Sequence, residues 1–231
     1  MTKIKRPIKI LALLAVGAVV LLMTACEKEK EEFAWVDLGL PSGLLWANCN
    51  VGANSPEEYG NYYAWGETAP KDVYNWGNYA HCRINGPGEF TKYCYNMTYG
   101  HNGYTDTLTV LQPVDDAATA FLGDGVRMPT HEEWKELDNE CIKVWATKNG
   151  VKGYKFKGPN GNCLFLPAAG YCWDDTLCDA GSRGLYWSSS LWMDYPFNAW
   201  TYCFHSFVGM CYYDVNRSVG LSVRAVRARQ N

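Results

Sequence analysis

The residues best able to contact a ligand lie in the C-terminal third of the 231-residue chain. Residues 158–229 contain no Lys, Glu or Gln, and every acidic residue among them is Asp. Within this segment, residues 186–213 carry eleven aromatic side chains in 28 positions. Rigid aromatic rings separated by Ser, Asn, Asp and Gly are typical of surfaces that bind ligands. A tightly packed aromatic core has a similar content, so both interpretations are open from composition alone.

A strand over residues 199–207 would divide these side chains between two faces, because successive side chains of a strand alternate. One face would carry Trp200, Tyr202, Phe204 and Ser206, and the other Thr201, Cys203, His205 and Phe207. We expect one set to be core and the other to face a ligand, flanked by loops at residues 192–198 and 210–217. The predicted ligand-binding residues are Trp192, Asp194, Tyr195, Asn198, Trp200, Tyr202, His205, Tyr212, Tyr213, Asp214 and Asn216.

Cysteine is the second candidate for chemistry, with ten residues in the whole chain. No C-x-x-C pair occurs and the four His are widely scattered, so we expect no zinc site and no other cofactor. Cys172 with Cys178, and Cys203 with Cys211, are candidate disulfide pairs in an exported chain. Spacing alone does not decide between these pairings and free thiols.

The first 25 residues predict export. Four basic residues within positions 1–9 precede an uncharged run at residues 10–25, the order of a secretory signal peptide. The run is shorter than the roughly 20 residues of a spanning helix, which disfavours the alternative of an uncleaved anchor. It ends Leu-Met-Thr-Ala-Cys at residues 22–26, which resembles a bacterial lipobox. That resemblance implies cleavage before Cys26 and lipid on its thiol.

Residues 26–34 are then expected to form an acylated Cys and a charged tether, because residues 27–32 read Glu-Lys-Glu-Lys-Glu-Glu. Acidic residues after the lipidated Cys resemble a surface-export signal, so we expect lipid anchoring in the outer membrane, with the outer face favoured over the periplasmic face. Residues 26–231 carry 17 basic and 24 acidic residues, a net charge of −7. No basic patch suited to nucleic acid is visible. Residues 35–231 suit one domain.

The elements that position the aromatic segment can be read in part. Residues 113–122 predict a helix with an acidic first turn, where Asp115 and Asp116 supply N-terminal charge. A second helix begins with a capping box of Thr130 and Glu133 and is expected to run to about Trp145. Its apolar stripe comprises Trp134, Leu137, Cys141 and Val144.

The remaining elements read as short strands and long loops. Residues 154–157 and 163–166 predict a hairpin around an Asn-Gly turn, with Cys163 as a core thiol. Residues 185–189, 199–207 and 219–226 are further strands, and residues 52–104 are expected to form irregular loops. In the last strand, Arg224 and Arg227 are expected to face opposite sides, one paired with an acid and the other solvated.

Several blocks together resemble a known family. They are W-V-D-L-G-L-P-S-G-L-L-W-A at residues 35–47, R-M-P-T-H-E-E-W at 127–134, L-P-A-A-G-Y at 166–171, Y-W-S-S-S at 186–190 and G-L-S-V-R-A-V-R at 220–227. The chain resembles the Fibrobacter succinogenes major paralogous domain family over about residues 35–229. More distantly it is similar to the formylglycine-generating-enzyme branch of the C-type lectin fold. The resemblance implies an α+β, C-type-lectin-like fold with two helices packed on a small, mostly antiparallel sheet and long ordered loops.

The resemblance also implies a function. This fold serves as the variable protein of diversity-generating retroelements, whose template adenines are randomised, and residues 186–226 are the candidate variable region. Asn codons with a pyrimidine third base can become Tyr, Ser, Asp or His but not Lys, Glu, Gln, Met or Trp. Trp192, Met193, Trp200 and Met210 would then be positions that are fixed or templated differently. The implied partners are an unknown protein or glycan at the cell surface. An undiversified paralogue is the alternative.

Two other activities fit the residues less well. The catalytic relatives that this fold resembles bind copper through a closely spaced Cys pair near the C-terminal sheet, whereas Cys203 and Cys211 are eight residues apart and Cys172 and Cys178 are six apart. We therefore expect no enzyme. A calcium-dependent lectin needs a cage of oxygen ligands, of which residues 112–115 and 173–175 supply only fragments.

Overall fold

The computed structural model describes residues 33–83, 88–206 and 209–229, without the side chains of residues 209–212. The signal peptide, Cys26 and the tether up to Glu32 lie outside the described residues. The described residues belong to one compact unit. None of the helices in the described ranges is both long and apolar enough to cross a membrane.

The described residues contain two α-helices and fourteen strands. The helices are α1 (Ala117–Leu122) and α2 (His131–Glu140). The strands are β1 (Trp35–Asp37), β2 (Leu45–Asn50), β3 (Tyr62–Tyr63), β4 (Val126–Arg127), β5 (Ile142–Lys148), β6 (Val151–Lys157), β7 (Cys163–Pro167), β8 (Tyr171–Trp173), β9 (Thr176–Cys178), β10 (Arg183–Leu191), β11 (Asn198–His205), β12 (Gly209–Asn216), β13 (Leu221–Ser222) and β14 (Arg224–Arg227).

The strands form four sheets. Their orders are β1-β2-β14-β4, β12-β11-β10-β13-β3, β5-β6-β7 and β8-β9. Every pairing is antiparallel except that of β10 with β13. This mixed architecture confirms the predicted α+β class. Residues 52–104 contain only β3 and short 3-10 turns among their described positions, as the abundance of turn-forming residues predicts.

The five-stranded sheet lies between two hydrophobic clusters. Trp187 and Cys203 belong to the first cluster, which also holds α1. Tyr186, Tyr202 and Phe204 point the other way and belong to the second cluster, against α2. The prediction that one face of the residue 199–207 strand would be free is therefore wrong over residues 201–204, because both faces are covered by core.

Helix α2 begins as predicted. The Thr130 hydroxyl accepts from the Glu133 amide, and the Glu133 carboxylate accepts from the Thr130 amide at 2.8 Å. Trp134 and Leu137 are fully buried, and Cys141 is buried at the helix end. The predicted extension to Trp145 is wrong, since the helix ends at Glu140 and β5 follows.

Strand β5 replaces the last predicted helical turn because a tight hairpin returns the chain into β6. Asn149 and Gly150 both have positive φ, at 49° and 87°, as a type I′ turn requires. Val144, expected on the helix stripe, is 56 % exposed on β5. The predicted hairpin of residues 154–157 with 163–166 is confirmed as β6 and β7.

Helix α1 is shorter than predicted. Residues 113–115 form a 3-10 turn, and Asp116 caps α1 by accepting from the Ala118 and Thr119 amides at 2.9 and 3.1 Å. Asp116 thus fits the expected N-terminal role. Asp115 instead accepts a hydrogen bond from the Tyr93 hydroxyl and pairs with Lys92.

The arginines of β14 differ from the expectation. Arg224 is fully buried and donates to the carbonyl oxygens of Ala47 at 2.8 Å and Phe165 at 3.1 Å. Arg227 lies over the Trp35 ring at 4.5 Å. The expected pairing with an acid is therefore wrong for Arg224, since β14 is a central strand and its neighbours present backbone carbonyls.

The positions of the cysteine side chains are set by the strands that carry them. Cys163 is exposed at the start of β7, so its expected place in the core is wrong. Cys172 and Cys178 are free thiols offset by one register position on β8 and β9, which points their side chains to opposite faces. Cys203 is fully buried, and its register partner on β12 is Cys211.

Candidate ligand-binding site

The site is organised by the way α2 lies on β11. Trp134 stacks on Tyr202 with ring centroids 4.7 Å apart and planes 4° apart. His131, one turn earlier on the same helix face, stacks on Trp200 at 3.6 Å and 23°. Ring stacking between α2 and β11 therefore includes both Tyr202 in the core and Trp200, which contacts the first residue of α2.

Beyond that point the aromatic rings become half-exposed. Trp192 follows β10 and contacts Trp200, with centroids 4.1 Å apart. The turn that joins β10 to β11 holds it there, since the Trp192 amide donates to the Asn198 carbonyl and the Asn198 amide to the Tyr195 carbonyl. We call His131, Trp192, Asn198, Trp200, Asp214 and Asn216 the aromatic–amide patch; all six are partly exposed.

Antiparallel pairing with β12 supplies the polar half of the patch. Asn198 stands opposite Asn216, and Trp200 opposite Asp214, so these four side chains share one face. The Asn198 Nδ2 donates to the Asp214 carboxylate. The Asn198 Oδ1 is buried and accepts no hydrogen bond from the described residues. The patch thus offers a carboxylate and two amides beside two indoles.

The surroundings of the His131 imidazole favour its neutral form. Burial lowers its pKa below 6.5, and this outweighs the opposing charge of Glu132, while Lys135 lowers the pKa further. Its backbone amide, which has no partner within the helix because it lies in the first turn, donates to Ser190 Oγ at 3.1 Å. The Trp200 ring therefore stacks on an imidazole that belongs to the first turn of α2.

Other predicted residues lie outside the patch. Tyr202 is fully buried, so its predicted contact with ligand is wrong. His205 lies five positions along β11 from Trp200, about 17 Å at the rise of an extended strand. Asp194 and Tyr195 are exposed on the β10–β11 turn next to the patch, where the Tyr195 ring contacts Phe197 at 5.2 Å.

The predicted loop at residues 210–217 is instead strand β12, an edge strand. Tyr213 points to the opposite face from the patch, where Arg183 lies over its ring at 5.2 Å beside a cleft of 210 Å³. Arg217 is fully buried over Phe90 and cannot belong to a binding surface. The side chain of Tyr212 lies outside the described residues.

His131 is the patch residue that sequence reasoning missed. The signal was present, because the capping box fixes His131 in the first helical turn, three residues before the buried Trp134. Residues three apart on a helix share a face, so His131 is expected to face β11 as Trp134 does.

The described residues do not meet the requirements of a metal site. No group of three or more His, Cys, Asp or Glu side chains in the described ranges could hold a metal ion. The patch as defined contains no thiol. Comparison with family models, curated proteins and solved structures gives no match to this chain.

Proposed function

We propose that the chain is an exported, lipid-anchored outer-membrane lipoprotein of C-type-lectin-like fold that binds a ligand through the aromatic–amide patch. The observation that carries this proposal is the pair of half-exposed indoles, Trp192 and Trp200, fixed on His131 beside Asp214. Clusters of aromatics near hydrogen-bonding groups concentrate binding energy in a few residues.

A glycan is the ligand class that this chemistry suits best, and a protein remains the alternative partner. Indole faces pack on the C–H faces of a sugar ring, while carboxylate and amide groups accept from and donate to its hydroxyls.

The distribution of residue types around the patch supports diversification. Asp194, Tyr195, Asn198, Asp214 and Asn216 are all residue types that an Asn codon with a pyrimidine third base can reach. The rings that position them, Trp192, Trp200 and His131, fall outside that set or outside residues 186–226. The patch would then combine aromatic residues that stay fixed with polar neighbours that vary. The expected genomic observation is a near-copy of the codons for residues 186–226 beside a reverse-transcriptase gene, differing only at adenines; its absence would leave the undiversified paralogue.

The binding proposal is tested by titrating the purified protein with a panel of mono- and oligosaccharides while following tryptophan fluorescence. We expect at least one saccharide to quench emission saturably in the wild type and not in Trp200→Ala. Trp173→Ala is the matched control, because Trp173 is 50 % exposed on β8 and lies outside the patch. Equal quenching of wild type and Trp200→Ala would refute the site.

Anchoring is tested separately. Cys26→Ala should leave an uncleaved precursor and abolish incorporation of a clickable fatty acid, because this thiol is the predicted lipid acceptor. Equal labelling of wild type and variant would refute the anchor without touching the binding proposal.

A further inference from the structure

The charge of this protein is strongly uneven. Five of the ten lysines in residues 26–231 lie between positions 143 and 157, and residues 141–158 contain no acid. Since residues 26–231 carry a net charge of −7, the chain outside this segment carries −12. The segment is the hairpin of β5 and β6, so a basic surface is concentrated on one small sheet of an acidic protein.

The outer face of this hairpin carries Lys155 and Lys157 together with exposed apolar side chains, while Lys143 and Lys152 point to the other face. Ile142 stands opposite Lys157, and Val144 opposite Lys155, so all four side chains share a face. Ile142 is 67 % exposed, and β5 is an edge strand. Neither Lys155 nor Lys157 forms an ion pair among the described residues. Lone apolar residues on a surface are ordinary, but an apolar pair flanked by unpaired cations is a distinct pattern.

The same face continues into a cavity of about 490 Å³ between β1 and the three-stranded sheet. Val36, Ala146, Phe165 and Lys155 line it, together with Ala34 near the point where the described chain begins. Phe33 lies seven residues after Cys26, a span of at most about 25 Å in extended chain. A lipid on Cys26 would therefore keep Phe33 within about 25 Å of the lipidated residue.

We propose that the outer face of β5 and β6 docks on an anionic lipid surface. Lys155 and Lys157 contact headgroup phosphates through their long side chains, while Ile142 and Val144 enter the interfacial region. The acidic remainder of the domain is repelled from the same headgroups, so this face alone is attracted, and the tether brings it into reach. The inference rests on the lipid anchor proposed above for its biological setting.

The experiment removes the anchor so that the face is tested by itself. Residues 26–231 with Cys26→Ser are mixed with vesicles of phosphatidylcholine, alone or mixed with phosphatidylglycerol, and bound protein is measured by sedimentation. We expect binding to the anionic vesicles only, weakened by salt. Lys155→Gln with Lys157→Gln should weaken it roughly 30-fold, at about fivefold per lysine. Ile142→Ser with Val144→Ser should weaken it as well.

The matched control is Lys71→Gln with Lys135→Gln, which makes the same charge change on other elements and should keep wild-type binding. Equal unfolding midpoints for the variants exclude loss of fold. Equal binding to neutral vesicles, or an equal loss in the control, would overturn the proposal. Absence of vesicle binding together with a dimer that Ile142→Ser with Val144→Ser dissociates would assign the face to a second copy of the chain. Failure of Cys26 labelling alone would refute the anchor and leave this result standing.

Discussion

Tyr202 and Trp200 lie two positions apart on the same face of β11, and substituting each by Ala should have opposite consequences. Tyr202 is fully buried, stacks on Trp134, and donates its hydroxyl to Asp138 Oδ1 at 3.0 Å. Trp200 is partly exposed and stacks against His131 and Trp192 at the end of the sheet. The first should be a stability residue and the second a binding residue.

The magnitudes follow from burial. Removing a fully buried aromatic side chain leaves a cavity, and Tyr202→Ala should lower the free energy of unfolding by about 3–5 kcal/mol. Asp138 keeps its ion pair with Lys143 at 2.6 Å, so no unpaired buried charge adds to this loss. Trp200→Ala removes two ring contacts worth about 0.5–1.5 kcal/mol each at a partly solvated position, so about 1–2 kcal/mol is expected.

Urea unfolding followed by far-ultraviolet circular dichroism measures both changes, and thermal melting gives a second reading. At about 2–4 °C per kcal/mol for a chain of this size, Tyr202→Ala should lower Tm by roughly 6–20 °C and Trp200→Ala by roughly 2–8 °C. Tyr202→Phe, which keeps the ring but loses the hydrogen bond to a charged carboxylate, should lose about 1.5–3 kcal/mol. Equal losses for the two Ala variants would show that Trp200 is core, and the patch would no longer be a binding site.

Three further outcomes are expected. Burial would raise the pKa of Glu133, but hydrogen bonds from Arg127 and the Thr130 backbone outweigh it and lower the pKa below 4.5. The ionised Glu133 therefore stabilises the fold above that pH, and this stabilisation is lost as the pH falls. In Glu133→Gln the urea midpoint should decrease less on acidification than it does in the wild type. Asp116→Ala should cost about 1–2 kcal/mol in the same assay, because α1 loses its cap; an unchanged midpoint would contradict that role. In Gly184→Ala the new Cβ would lie 2.1 Å from the Phe204 ring, so about 1–3 kcal/mol should be lost, and Phe204→Leu in the same chain should restore part of it.

Features encoded by neighbouring residues could be predicted from the sequence. The capping box of Thr130 and Glu133 and the buried pair Trp134 and Leu137 depend only on spacing within one helix. The β6–β7 hairpin depends on one turn and two short alternating runs. These local sequence patterns predict the structure correctly because the tertiary contacts favour the same conformations.

The end of α2 shows a local signal that was outweighed. Cys141 and Val144 continued a helical spacing, yet Asn149-Gly150 is the dipeptide preferred in two-residue hairpins and stands between β-branched runs. Weighing that turn first would have predicted β5. The pairing of β12 with β11 carried no comparable signal, because aromatic and polar residues alternate there much as they would in a loop.

Whether the C-terminal aromatic run is a core or a binding surface depends on where α2 begins. Along β11 the rings of Phe204 and Tyr202 are covered by the second hydrophobic cluster, and Trp134 is the helix residue that covers Tyr202. One helical turn earlier His131 stacks on Trp200, which is partly exposed. Along β11, Tyr202 and Phe204 are therefore core residues, whereas Trp200, which contacts His131, is partly exposed. Because Trp200 is stacked on a side chain fixed by the helix start, a ligand there would meet a support already ordered by folding, and binding would lose little side-chain entropy.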